Sequence, residues 1–262
     1  MIEWATYDGV AQLRLEHAPL NEIGTVVLSG LERFVDAIEH ERPRAVIVHS
    51  GLPRGFCAGA DLRELHAAIA GRSPDAYLGD LSRMLERIHA LMNRLDALPV
   101  TTIGAIHGAC FGGGFELALT LDVLVADTTA RFCLPELRLG IIPGFGAIPR
   151  LEREVGNAVI RDLIFTGRSF NAKKACELGL VSQVVARGEA LAVARQVAAQ
   201  AARFEPQVQA AAKRFIKRVP EQALAQEKAL FLQLFTEPRV VEALRRFVSS
   251  EDPMPYLPGE RA

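Results

Sequence analysis

The sequence predicts an α/β fold with a helical C-terminal region, and three observations carry that expectation. Short, almost wholly apolar segments of the kind buried in parallel sheets alternate with helical periodicity through the first half of the chain. Two glycine-rich loops each follow such a segment and open a helix. From Asn157 onward the strand signals nearly vanish. The core is therefore expected over residues 1–195 and the helical region over 196–262.

Taken in order, "WATYDGVAQLRLEH" alternates about an Asp-Gly turn signal, so Trp4 to Tyr7 and Val10 to Leu15 are expected to form a hairpin. Thr25 to His40 places apolar residues at helical spacing, and Ala45 to Ser50 is a buried strand, which makes a strand–helix–strand crossover. Helices are expected from Asp61 and from Ser73-Pro74 to just before Pro99. "VTTIGAIHG" and "DVLVAD" are strands, with a helix "FELALTL" between them, and "RFCLPE" is an extended piece entering a proline-gated loop. Helices then follow at 158–165, 171–178, 189–204, 207–218 and 221–248, with one brief strand at Ser182 to Val185.

Composition narrows the function classes. With 50% hydrophobic and 23% charged residues the chain has the make-up of a soluble globular protein. Thirty Lys plus Arg balance thirty-one Asp plus Glu, so neither a nucleic acid nor a membrane surface is an expected partner. The start, "MIEWATYDGV", lacks a basic, apolar leader, and a cytoplasmic protein is expected. Cys57, Cys110, Cys133 and Cys176 are far apart and the histidines form no H-E-x-x-H, so reduced thiols and no metal site are expected. There is no P-loop and no G-x-S-x-G elbow, and "GFGAIP" ends in Pro149 where a dinucleotide fingerprint needs glycine.

What remains is "GFCAGADL" and "ACFGGGFEL". Backbone N–H groups at a helix start lack intrahelical partners and sit at the positive end of the helix dipole. Two such loops on neighbouring strands can aim one N–H each at a single oxygen. Either loop alone is more readily a ligand-free tight turn; the pair is what points to a site. Glu116 follows the triple glycine and Glu136 lies in "CLPELRLGIIPGFG", 20 residues on, far enough for a helix and a returning strand to bring both to one place. Paired carboxyl groups in a partly buried cleft suit general acid and base work, because burial and mutual repulsion separate their proton affinities. The plain alternative is that Glu116 only meets a helix N-terminus and Glu136 is solvated.

"GFCAGADL", "HGACFGGGFELALTLDVLVA", "LPELRLGIIPG" and "ACELGLVSQVV" stand in the order and spacing of the crotonase, or enoyl-CoA hydratase and isomerase, superfamily. The resemblance covers nearly the whole chain. It implies a spiral of ββα turns, a helical C-terminal region that packs in trimerisation, and a homo-oligomer that is a trimer or a dimer of trimers. It implies an acyl-CoA thioester substrate, coenzyme A being part of that substrate, and no separate cofactor.

By the same resemblance the backbone N–H groups of Ala60 and Gly113 form an oxyanion hole, and Glu116 and Glu136 match the two acids of the hydratases. Ala58, Asp61, Leu62, Gly112, Pro135 and Gly144 are carried over as substrate contacts, Arg63 as a group near the CoA phosphates or adenine, and Lys213 as the lysine that reaches CoA from a neighbouring subunit. The basic run Lys213, Arg214, Lys217, Arg218 reads equally well as a solvated helix face. Retention of both acids implies hydration of a 2-enoyl-CoA to a 3-hydroxyacyl-CoA; isomerisation or hydrolysis of an unusual acyl-CoA is the alternative. A catalytically silent or RNA-binding relative is a third, against which the neutral charge and both acids argue. The chain departs from the hydratase pattern at "AIPRL" after "PGFG", at Cys133 and Leu134, and at Thr120 and Leu121. Phe56, Phe111, Phe115 and Phe145 are either pocket walls or core.

Overall fold

Asp8 and Gly9 both adopt positive φ, 50° and 77°, which matches the twist of a two-residue hairpin turn and joins β1 (Ile2–Tyr7) to β2 (Val10–Leu15). The chain then crosses through α1 (Thr25–Glu41) to β3 (Ala45–Ser50), which lies parallel to β2 with Ala45 opposite Val10. These are the first turns of a computed structural model that describes residues 1–250.

Each later turn lays one strand on a large sheet and a short one on a small sheet. After β3 come β4 (Gly55–Cys57), α2 (Leu62–Ile69) and α3 (Pro74–Ala97). After β5 (Thr101–Ile106) come β6 (Ala109–Phe111) and α4 (Gly113–Ala118). β7 (Val123–Asp127) is followed by β8 (Arg131–Cys133) and a 3-10 turn, Glu136–Leu139. The remaining elements are α5 (Ala147–Glu154), α6 (Asn157–Thr166), β9 (Phe170–Asn171), α7 (Ala172–Glu177), β10 (Gln183–Val185), α8 (Ala190–Ala201), α9 (Pro206–Ile216), α10 (Glu221–Leu234) and α11 (Pro238–Ser249). The large sheet runs β1-β2-β3-β5-β7-β10 and the small one β4-β6-β8-β9. Among the described strands only the β1–β2 and β8–β9 pairs are antiparallel, and the architecture is the expected ββα spiral.

Both faces of the large sheet are covered, which is why its strands are almost continuously apolar. On one side Ala190, Ala194 and Ala198 of α8 let that helix lie close on Ile47, Ile103 and Val125. On the other, the main core takes Leu31, Phe34 and Ile38 of α1, and Leu85, Leu91 and Met92 of α3. The expected division at residue 195 falls inside α8, which packs on the sheet along its length, and α10 and α11 return to the main core through Phe231, Phe235, Val240, Leu244 and Phe247. Residues 251–262 of the expected helical region lie outside those described. No described helix is long and apolar enough to cross a membrane.

Three local differences from the sequence expectation have physical causes. Both glycine-rich loops contain three-residue strands, β4 and β6, too short for period-two alternation to mark. The expected helix over 221–248 is two helices, because Pro238 lacks an N–H and starts α11 instead of continuing α10. The proline-gated loop tightens into helix twice: Glu136 opens the 3-10 turn, and α5 takes Pro149 in its first turn, where no N–H is needed.

Candidate active site

β4 and β6 run parallel in the small sheet and end side by side, so the loops that leave them touch. In the first, Gly59 has φ +104°, and Asp61 caps α2 by accepting the amides of Arg63 (3.0 Å) and Glu64 (2.9 Å). In the second, Gly112 has φ +49° and hands over directly to α4. A Cβ on Gly59 would stand 3.1 Å from Gly113 N, and one on Gly113 would stand 3.4 Å from Ala60 N. The amides around these two are used: Asp61 N donates to Ile23 O (3.2 Å) and Gly112 N to Cys133 O (2.9 Å). Among the described residues no partner takes the N–H of Ala60 or Gly113, leaving two adjacent donors at the positive end of α4.

The triple glycine is required by contact on three sides. A Cβ on Gly112 would lie 2.7 Å from Glu136 Oε1, one on Gly113 2.6 Å from the Phe145 ring, and one on Gly114 2.3 Å from Cys57 O. Even alanine would push the acid, the aromatic wall or β4 out of place.

Glu116 is 1% exposed, on the inward face of α4. Its Oε2 accepts the amides of Phe145 and Ala147, both at 2.8 Å. Burial raises its pKa to about 7, against the pull of those two amides and the Arg150 charge. Glu136 sits at the start of the 3-10 turn with Oε1 over Gly112, and its buried Oε2 has no hydrogen-bond partner among the described residues. Burial, and then the charge of Glu116, push its pKa well above the ordinary carboxyl value. Both acids therefore hold protons more readily than an ordinary carboxyl, and the charge of Glu116 adds to that rise at Glu136, so a protonated and an ionised acid coexist near neutral pH.

A cleft of about 450 Å³ joins these groups. Ala58, Ala60, Asp61 and Leu62 line it from the first loop, Gly112, Gly113 and Glu116 from the second, and Pro135, Glu136 and Gly144 from the segment that follows. Its apolar end is closed by Leu65, Ile69, Tyr77, Leu81, Phe145 and Phe231. The Tyr77 hydroxyl donates to Phe235 O (2.8 Å), tying α3 to the end of α10. Phe145 is therefore a wall, whereas Phe56, Phe111 and Phe115 are core, the last packed on Phe132 and Phe170.

Two expected contacts are not in this cleft. The Arg63 guanidinium turns outward over the Phe247 ring, 5.8 Å from its centre. Lys213 is held within its own chain: its ammonium donates to Asp122 Oδ2 (2.7 Å) and Val100 O (3.0 Å). So paired, this half-buried lysine is a counter-ion to Asp122 within its own chain.

The structure also adds Glu227, which sequence reasoning passed over. It is buried on α10, its Oε2 accepts Ile148 N (2.9 Å), and Oε1 has no partner among the described residues. The available signal was an acid between Leu224 and Phe231 on the apolar stripe of that helix. Among the described residues no group of three or more His, Cys, Asp or Glu is arranged to hold a metal ion.

Comparison with known proteins bears on what this geometry belongs to. The profile of the family described as "Enoyl-CoA hydratase/isomerase" matches residues 5–254. A "Probable enoyl-CoA hydratase" of Bacillus subtilis (strain 168) is 39% identical over 201 residues, 76% of this chain and 74% of that one. The "Methylglutaconyl-CoA hydratase, mitochondrial" of Rattus norvegicus is 34% identical over 242 residues, 89% and 74% of the two chains. The crystal structure of an enoyl-CoA hydratase/isomerase from Xanthobacter autotrophicus Py2 superposes with a TM-score of 0.83 at 28% identity, covering 94% of this chain and 93% of the other. With the profile spanning almost the whole sequence and the spiral fold in common, the chain belongs to the enoyl-CoA hydratase/isomerase family of the crotonase superfamily.

Proposed function

We propose that the protein adds water across the 2,3 double bond of a 2-enoyl-CoA to give a 3-hydroxyacyl-CoA. The observation that carries this reading is the pair of buried acids, Glu116 and Glu136, at one cleft with the free N–H groups of Ala60 and Gly113. The thioester carbonyl accepts both N–H groups, which are fixed before the reaction and so stabilise the oxygen as it turns enolate-like. Conjugation makes C3 electrophilic. Glu116, ordered by the amides of Phe145 and Ala147, takes a proton from water as its oxygen bonds to C3. Glu136, whose proton affinity is raised by burial and by the charge of Glu116, delivers its proton to C2. Transfer of the proton from Glu116 back to Glu136 restores the starting state, so the sum is one water added. Coenzyme A enters as part of the substrate, and each step uses only backbone N–H groups and carboxyl groups of the chain.

The reading includes a homo-oligomer. α9 buries none of its residues, and Phe204 just before it and Val208, Phe215 and Ile216 along it are exposed, an apolar strip suited to self-association. A trimer or a dimer of trimers is the expected mass in solution.

Turnover of a panel of 2-enoyl-CoA thioesters in ¹⁸O-water tests the reaction. Hydration places the label at C3 of the acyl group, thioester hydrolysis places it on a free carboxylate, and double-bond isomerisation incorporates none. Binding of the thioesters without label at C3 overturns the hydratase reading and leaves the isomerase or hydrolase alternative.

A further inference from the structure

The segment from Gly144 to Ile148 is held on every side by buried polar groups. His89 Nε2 donates to Gly144 O (2.7 Å), and Arg150 donates to Phe145 O (3.1 Å) and Gly146 O (3.3 Å). The amides of Phe145 and Ala147 are left to point at Glu116. The next amide, Ile148, is turned the other way and donates to Glu227 Oε2 (2.9 Å). The amide directions of Phe145, Ala147 and Ile148 are thereby fixed by two carboxyl groups on different helices, α4 and α10. Gly146, between the first two, has φ +108°, a left-handed conformation that favours glycine.

We propose that Glu227 is a positioning residue for the reaction: by accepting the Ile148 amide it fixes the Phe145–Ile148 turn, whose remaining amides hold Glu116 in place as the base. This rests on the assignment of Glu116 to catalysis, but not on the identity of the acyl group. A carboxyl group buried with one oxygen unpaired is costly, and among the described residues no ion pair compensates Glu227. Its neighbour α5 would be capped at lower cost by a neutral side chain, so the buried acid marks a demand of the site. The charged and titratable groups that face the turn are Glu116 from α4, Arg150 from α5, His89 and Asp96 from α3, Glu227 from α10 and Glu136 from the 3-10 turn.

The test compares Glu227→Gln with Glu227→Met. The two are close in volume and both neutral, but only glutamine keeps an acceptor for the Ile148 amide. The glutamine variant is expected to keep kcat within about threefold of wild type, and the methionine variant to lose about tenfold or more with KM changed less than twofold. Independently of turnover, infrared titration of the Glu116 carboxyl band, assigned by its loss in Glu116→Gln, is expected to give a higher pKa in the methionine variant than in the glutamine variant, because ordered amides favour the ionised form. If the methionine variant does not fold, Glu227→Ala carries the same comparison. Equal turnover and equal Glu116 titration in both variants overturn the proposal. A wild-type protein that hydrates no thioester removes the proposed function, while the infrared comparison still decides the role of Glu227.

Discussion

The molecule contains two buried clusters of charge, one at the cleft and one behind it, built on opposite principles. Behind the cleft Asp96 Oδ2 accepts Arg150 Nε at 2.9 Å and Arg153 at 3.1 Å, and its Oδ1 lies 3.2 Å from Lys217. Lys217 continues to Asp122 (2.8 Å), which also takes Lys213 (2.7 Å) and both the amide and hydroxyl of Thr102. Acids and bases alternate and every charge has an opposite partner, Asp96 Oδ1 through an ion pair with Lys217 rather than a hydrogen bond. At the cleft Glu116, Glu136 and Glu227 stand together, with one oxygen of each of the last two unpaired among the described residues. Arg150 touches both worlds, pairing with Asp96 while holding the carbonyls beside Glu116. Compensated charge fixes shape, whereas uncompensated charge near neutral pKa is chemically available.

That contrast predicts opposite responses to removing a charge. Glu116→Gln or Glu136→Gln is expected to lower kcat by about a thousandfold or more, the scale of losing a proton-transfer group. Folding stability in urea should be unchanged or higher, since an uncompensated buried acid has gone. Loss of activity together with loss of stability would put the acids in the structural cluster instead. Lys217→Met should do the reverse: about 3 kcal/mol of stability lost by urea unfolding, because Asp96 and Asp122 stay buried with fewer partners, and kcat of the folded protein within about twofold of wild type.

A smaller effect separates geometry from charge. Gly113→Ala changes no titratable group, but its Cβ would meet the Phe145 ring at 2.6 Å and lie 3.4 Å from Ala60 N. Displacing the ring moves the backbone whose amide holds Glu116, so kcat/KM should fall about ten- to hundredfold, with Glu116→Gln and Gly113→Ala less than additive in a double-mutant cycle. Additive losses would mean that the loop and the acid act separately.

The cleft cluster was more legible in the sequence than the structural one. Glycines, helix-start amides and the two acids lie on three short stretches that types, spacing and the family resemblance together marked as candidates, and the structure brings them to one cleft. The partners of Lys213, Asp122 and Val100, come from a different turn of the spiral, and a basic run on a helix carries no mark of what it will face. Glu227 was missed for a related reason. Its acidity on an apolar stripe was visible, but its meaning depends on the Ile148 amide, which is turned toward it by α5, a helix that Pro149 hid. The small sheet escaped because its strands of two or three residues are set by pairing with neighbours rather than by pattern.

The smallest expected effect is a slope, and it has opposite sign in the two clusters. The Glu116 carboxyl titrates near 4.5 when unfolded and at about 7 when folded, so across that window the folded chain binds a proton that the unfolded chain has lost. Its contribution therefore makes stability fall as pH rises from 4.5 to 7. Asp122 is the reverse. Burial opposes its charge, but Lys217 and Lys213 outweigh burial and hold its pKa below the ordinary 3.8. Its contribution is present above 3.8 and is lost as pH drops through the folded value. Melting temperatures from pH 3 to 8 should show Glu116→Gln flattening the fall above pH 4.5, and Asp122→Asn flattening the acid-side loss below pH 4. If both substitutions flatten the same window, the clusters are one coupled system through Arg150, and the division between charge that holds the fold and charge that is free for chemistry does not stand.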